Sequence, residues 1–302
     1  NHVTPFDTSS TSPPQVYDFL IAAQKAKSSA PGPDGISFAG WAAAGIHGAR
    51  TLAAVHAELS TGICPPLTFN ESIGVFPPKG CEDMDSTIVI RDPENVRPLN
   101  LKNCDNKIIA SASNHKMKKP LSNNISQLQR GFIPGRQLTQ NVVDLDTNSR
   151  IISMQHTHNF LPCIMLWDFC AAFPSLAQQW LLLVLQLAQF PDGFIDLVNG
   201  MYFMNSTMAF GGQQLIFLWW VLSGVLQGCP LSGFAFAVAL NPFLTWFESI
   251  LANWPRSCLR ACADDIGGSF NDIKILLDIA PIFAAAQRAA GLSLKPQKCQ
   301  II

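Results

Sequence analysis

Charge is scarce in this chain. Only 14% of its 302 residues are Asp, Glu, Lys or Arg, the formal net charge is −1, and no charged residue lies between Asp196 and Glu248. So balanced a composition, with 48% hydrophobic residues, argues against a disordered polyelectrolyte and provides for one large core or two modest ones. C-x-x-C pairs are absent, and the six histidines show no zinc spacing; His156 and His158 supply two ligands in a loop, too few for a structural site. Nine scattered cysteines, an odd number, predict a reducing compartment and no disulfide framework. The charge-free interval is broken by Gly211, Gly212, Pro230 and Pro242. Its apolar pieces fall short of the roughly 20 residues a membrane span requires, so they read as buried strands and core helices. No signal-peptide pattern opens the chain, and its first residue is Asn rather than Met. These features predict an excerpt of a longer intracellular protein, nuclear or cytoplasmic and not secreted.

What is present falls into two halves. In the first, residues 13–27 read as an amphipathic helix capped by Ser12, and 38–60 as a second helix weakened by Gly40, Gly45 and Gly48. IGVFPPKG (73–80) reads as a strand ending in a turn, 81–95 as a polar insertion, and 138–153 as a helix. In the second half, apolar strands alternate with helices. CIMLW (163–167) is a buried strand, Ser175 is placed to cap a helix over 176–189, and Gly211-Gly212 joins a hairpin. Residues 230–252 form a long buried helix, a second hairpin turns at Asp264-Asp265, and Gly291 closes a helix over 272–290. This pattern predicts an α+β fold with helices on one face of an antiparallel sheet.

Three carboxylates carry the chemistry. Asp168 ends the apolar run LPCIMLWD, and Asp264-Asp265 stand in RACADDIGGSF. A carboxylate closing a buried strand is costly unless paired or metal-bound. Taken singly, Asp168 also suits a turn cap, and turns favour an Asp-Asp tip. Together, from separate strands, they suit a pair of Mg²⁺ ions that clamp the attacking and leaving oxygens of phosphoryl transfer. A basic run, Arg97, Lys102, Lys107, Lys116, Lys118, Lys119, Arg130 and Arg136, is opposed only by Asp105. It suits either a phosphate backbone or a solvated helix face.

In order, LPCIMLWD, SGVLQGCPLS (223–232), RACADDIGGSF and GLSLKPQK (291–298) resemble motifs A, B, C and D of reverse transcriptases, most closely the non-LTR (LINE-type) enzymes. FPPKG, NVRPLNL, GFIPGRQLTQN (131–141) and APGPDGI (30–36) resemble segments of the same family's fingers. The resemblance implies right-hand polymerase fingers and palm with a ferredoxin-like sheet: an N-terminal helical extension over 1–70, fingers over 71–160 and palm over 161–302, without a thumb or endonuclease. It implies an RNA-directed DNA polymerase acting on an RNA template, a DNA primer and dNTPs, with two Mg²⁺ ions or Mn²⁺ in their place; the alternative is a decayed element that only binds nucleic acid. Asp168, the Phe169 carbonyl, Asp264 (principal) and Asp265 (supporting) would hold metal, and Lys298 would protonate pyrophosphate. Lys79 and Arg97 would grip the triphosphate, and Phe173 would gate against a 2′-hydroxyl. Gln227 and Gly228 would contact the nucleotide, and Lys116, Lys118, Lys119, Arg130 and Arg136 the nucleic acid. Three positions depart from the family pattern: Cys262 for an aromatic, Pro174 for Asp, and Leu226 for a basic residue.

Overall fold

The computed structural model describes residues 2–27, 29–86, 88–155 and 159–302, with backbone only at 83 and 84. His156 and His158 lie outside the described residues. The helices are α1 (Val16–Lys25), α2 (Phe38–Ala43), α3 (Gly45–Leu59), α4 (Cys104–Asn124), α5 (Leu138–Met154), α6 (Ala172–Ser175), α7 (Gln178–Leu187), α8 (Asp192–Tyr202), α9 (Ser232–Leu251) and α10 (Ile275–Ala285). The strands are β1 (Glu71–Val75), β2 (Leu99–Lys102), β3 (Cys163–Trp167), β4 (Ser206–Gly211), β5 (Gln214–Trp220), β6 (Cys258–Cys262), β7 (Asp265–Phe270) and β8 (Gln300–Ile301). They form two four-stranded sheets.

The first sheet runs β2-β1-β4-β5, with β1 antiparallel to β2 and parallel to β4. The hairpin β4–β5 therefore leaves the second half of the chain and joins strands of the first. Gly211 pairs with Gln214, so the turn is Gly212-Gln213, one residue beyond the expected glycine pair; Gly212 takes φ +69°. β5 is an edge strand on which Ile216, Phe217, Trp219 and Trp220 remain exposed. The second sheet runs β6-β7-β3-β8 and is antiparallel throughout.

Local chemistry explains several departures from expectation. The Asp18 carboxylate accepts the Gln15 N–H at 2.7 Å, so α1 starts at a capping box there and not at Ser12. Gly45 at φ +56° divides the expected 38–60 helix into α2 and α3. Ser175 ends α6 and donates to the Cys170 carbonyl, leaving Ala177 before α7. Neither α4 nor α8 was anticipated. α4 buries Asn106, Lys107 and Ser113 beside Ile108 and Ile109, which erases an apolar stripe. α9 is long and apolar enough to cross a membrane, with mean hydropathy 1.4, yet 67% of that window is buried in the core. Its Phe236, Val238 and Leu244 are fully enclosed.

Two charged clusters hold the layers together. Asp144 on α5 accepts from Arg130 and from Arg260 on β6, both at 2.7 Å. Burial opposes its ionisation, but hydrogen bonds from Gln140, Arg260 and Arg130 hold the carboxyl down to about 2. Beneath the first sheet, the Lys102 ammonium donates to Asn70 Oδ1 at 2.9 Å and to the Met201 carbonyl at 3.0 Å. Burial depresses it to about 8, although Cys229 and Asp105 pull it upward.

Asp144→Asn should lower stability at neutral pH by about 1.5–3 kcal/mol, the range for charged hydrogen bonds. The wild-type advantage should vanish as pH falls from about 4 towards about 2, because the folded pKa lies below the unfolded one. Chemical denaturation of both proteins across that range checks this. For Lys102 the slope has the same sign, because its folded pKa is also depressed, but the window lies at high pH and what is relieved there is a penalty on the charged form. The unfolded lysine keeps a proton that the folded one releases between about 8 and 10.5, so its contribution rises with pH there. Lys102→Met should lack that gain, up to about 3 kcal/mol, when urea midpoints at about pH 7 and about pH 10 are compared; parallel pH dependence in the two proteins would contradict it.

Candidate active site

The site is built by one register. β3 pairs with β7 from Cys163↔Phe270 to Trp167↔Ile266, so the next rung sets Asp168 opposite Asp265. Adjacent strands lie about 5 Å apart, which brings these two side chains to one end of the sheet. The β6–β7 turn is Ala263-Asp264, since Cys262 pairs with Asp265, and Ala263 takes φ +57°. Asp265 is exposed, whereas Asp264 and Asp168 are half-buried. Burial, and then the Asp265 and Asp168 carboxylates, push the Asp264 carboxyl above its ordinary range. The three expected carboxylates thus converge. Register sets Asp265, rather than Asp264, directly across from Asp168.

An open groove of about 580 Å³ runs past Asp168, Asp265, Cys262, Arg260, Leu166 and Lys298. The Lys298 ammonium lies 3.3 Å from Asp168 Oδ2. Its segment runs antiparallel to the end of β3: Lys295 N–H donates to the Asp168 carbonyl at 2.8 Å and Cys170 N–H to the Ser293 carbonyl at 2.8 Å. Phe169 is buried against Phe283. The donor set fits a divalent cation. Its three carboxylates are hard oxygen ligands with Lys298 as one counter-charge; burial raises the Asp264 pKa most, and the neighbouring Asp265 and Asp168 carboxylates add to it. Among the described residues no group of three or more His, Cys, Asp or Glu is arranged to hold a metal ion, so the three carboxylates do not form a preformed cluster.

Phe173 stacks on Phe236 of α9 with centroids 4.5 Å apart and planes 9° apart. Phe132, exposed and at φ +62°, meets it edge-on at 5.8 Å. Sequence reasoning missed Phe132, whose only signal is its place in GFIPG. The Phe173 carbonyl accepts Val225 N–H at 2.8 Å, tying this aromatic to the 223–228 turn. The Gln227 carbonyl accepts Asn100 N–H from β2 at 3.1 Å. Gly228 takes φ +108°, a conformation that strains any other residue, and a Cβ there would press on the Asn100 carbonyl at 3.0 Å. Lys79 and Arg97 are both exposed on a continuation of the β1–β2 ladder bridged at Pro78↔Val96. Lys79 donates to the Glu94 carbonyl at 2.8 Å.

The basic run does not form one patch. Arg136 donates to the carbonyls of Ser122, Ile125, Ser126 and Gln129 at 2.6–3.2 Å, which occupies its guanidinium in joining α4 to the following loop. Arg130 is paired with Asp144, and Lys116 with Asp18 at 2.8 Å. Lys102 and Lys107 are buried. Lys118 and Lys119 remain exposed on α4. Of the residues expected on a shared phosphate surface, Arg130, Arg136 and Lys116 are engaged with protein partners, whereas Lys118 and Lys119 are exposed.

The motif order has a counterpart in known proteins. The family described as reverse transcriptase (RNA-dependent DNA polymerase) matches residues 85–302. The transposon TX1 uncharacterized 149 kDa protein of Xenopus laevis is 27% identical over 212 residues, which are 65% of this chain and 15% of that protein. The retrovirus-related Pol polyprotein from type-2 retrotransposable element R2DM of Drosophila melanogaster is 26% identical over 290 residues, 93% of this chain and 25% of the polyprotein. The chain therefore spans a quarter or less of these relatives. An apo telomerase from Candida tropicalis, truncated from its C-terminal domain, has a TM-score of 0.56 at 11% identity, covering 82% of this chain and 55% of the telomerase. That likeness is one of fold, the right-hand polymerase fold that the motifs implied. Because the family match takes in most of its residues, the chain belongs to the reverse transcriptases, the RNA-dependent DNA polymerases.

Proposed function

We propose that this chain is the fingers and palm of a LINE-type reverse transcriptase that extends a DNA primer with dNTPs opposite an RNA template. The convergence of Asp168, Asp264 and Asp265 at one sheet end carries the reading. Residues 71–160 with the β4–β5 hairpin make the fingers, the rest of 161–302 the palm, and 1–70 an N-terminal extension. Catalysis of this kind is mainly positioning and charge stabilisation.

Asp168, Asp264, Asp265 and the Phe169 carbonyl would hold two Mg²⁺, or Mn²⁺, which when bound supply Lewis-acid charge to the primer hydroxyl and the phosphates. Lys298, held beside Asp168, keeps a proton within reach of the groove and delivers it to the leaving pyrophosphate. Lys79 and Arg97, exposed on one ladder, take the triphosphate as point charge and bidentate fork. Gln227, half-buried and anchored through its carbonyl to Asn100, faces the nucleotide with Gly228. Phe173 cannot yield to a 2′-hydroxyl because Phe236 stacks behind it. Lys118 and Lys119 contact the nucleic acid backbone.

In primer extension on an RNA template, Asp264→Asn should lower the rate by about 100–1,000-fold or more, with the circular dichroism spectrum unchanged. Equal extension by both proteins would sink the assignment, and RNA binding without extension by the wild type would mark a decayed copy. Phe173→Ala should relax discrimination against ribonucleotides by about 10–100-fold, read as the ratio of kcat/KM for dNTP and rNTP; an unchanged ratio rejects the gate.

A further inference from the structure

The hairpin that carries Asp264 is gripped from outside its own sheet. Segment 128–130 lies along the outer edge of β6 as a short added strand: Ala261 N–H donates to the Leu128 carbonyl at 2.8 Å, and Arg130 N–H to the Ala261 carbonyl at 2.9 Å. Beyond Cys262 this backbone pairing stops, because Ala263 turns into the left-handed region. There the Gln129 side chain takes over. Its Oε1 accepts Ala263 N–H at 2.8 Å and Gly131 N–H at 2.7 Å, while its Nε2 donates to the Ala263 carbonyl at 3.1 Å. Gln129 is fully buried. Gly131 completes the fit, since a Cβ there would run into the Ala263 amide.

We propose that Gln129 is a positioning residue for the reaction: its amide fixes both peptides flanking Ala263 and thereby sets the Asp264 carboxylate. The inference rests on the reading of Asp264 as a catalytic carboxylate. The Ala263 carbonyl belongs to the peptide leading into Asp264, so rotation of that peptide swings the acid. A two-residue turn ordinarily leaves such groups to solvent. Here one rigid amide holds donor and acceptor together on separate atoms, a combination that an ionised carboxylate of the same length does not offer. Glutamate would set an oxygen against the Ala263 carbonyl, and methionine would fill the space without either bond.

The test compares wild type, Gln129→Met, Gln129→Glu and Asp264→Asn in three measurements: primer extension, Mn²⁺ binding without substrate, and hydrogen exchange at the Ala263 amide. The Gln129 variants should lose on the order of 10–100-fold in kcat, the cost of a misplacement near 1 Å, with nucleotide KM and RNA affinity retained. They should also need more Mn²⁺ for half-occupancy and lose protection at Ala263. A purely structural brace would lower the melting temperature without that kcat-against-KM split or the weaker Mn²⁺ binding. Folded variants matching wild type in kcat and Mn²⁺ binding overturn the proposal. Should both variants fail to fold, the wild type still decides: an Ala263 amide exchanging as fast as a free turn amide overturns it, and protection equal to that of Ala261 supports it. Full extension by Asp264→Asn would instead defeat the catalytic reading, while exchange at Ala263 judges the grip independently.

Discussion

The antiparallel register between β3 and β7 is the constraint on which the carboxylate centre depends. A slip of one residue would turn every side chain of β3 to the opposite face, exposing Met165 and Trp167 and removing Asp168 from Asp265. The register is secured by what it buries: Met165 is wholly enclosed, and Trp167 packs against Phe270 and Phe283. Two glycines of β7 let neighbours close in. A Cβ on Gly267 would stand 3.0 Å from Leu145 of α5, and one on Gly268 would collide with the Phe270 ring. Apolar packing on the sheet's faces thus fixes the place of three charged groups at its end.

The 223–228 turn ties the first sheet to the α6 segment: Val225 N–H donates to the Phe173 carbonyl, Gly224 N–H to the Leu176 carbonyl, and the Gln227 carbonyl accepts from Asn100 of β2. Asn100 holds Gln227 by its backbone while its own amide donates to Ser72 Oγ at 2.9 Å and Thr207 Oγ1 at 3.0 Å. Three strands of the first sheet therefore share one buried hydrogen-bonded row, and the turn that leads into α9 is moored to it. Lys102 and Asn70 continue the polar layer under the same sheet. Satisfied networks of this kind rigidify what they touch, because any lost partner leaves a buried polar group exposed to full desolvation cost. Movement of the first sheet would carry the Gln227 peptide with it.

Much of this was legible in the residues. CIMLW is β3 to the residue, both hairpins exist, and 138–153 and 230–252 are helices within a residue or two. These segments advertise themselves by apolar runs and left-handed turns. Helix α4 did not, since its buried face mixes Asn, Lys and Ser with isoleucine; α8 was missed although Phe194, Ile195, Leu197, Val198 and Met201 recur at helical spacing between Asp192, Asp196 and Asn199. The surroundings of the basic run were hidden for a related reason. Sequence counts charges but not their partners: Arg136 spends its donors on carbonyls, Arg130 on Asp144, and Lys102 is enclosed. The three aspartates were legible because their spacing has an ordered family pattern. Gln129 was not, because its meaning lies in a turn 134 residues away.

Strand β5 carries a further consequence. Natural sheets blunt a free edge with lysine, proline, a bulge or a covering segment. Here the last seven residues before Val221, QLIFLWW, contain neither proline nor charge, and their outer rim is unpaired in the sheet order. One such device is present: Thr207 pairs with Trp219 and Met208 with Phe217, so Leu218 is an extra residue that forms a bulge on β5 itself and leaves 214–217 as the regular part of the rim. Isolated from any covering surface, this rim is a template for cross-chain strand addition, so concentrated solutions of the free polypeptide are prone to ordered aggregation that added salt, which screens only charge, does not prevent.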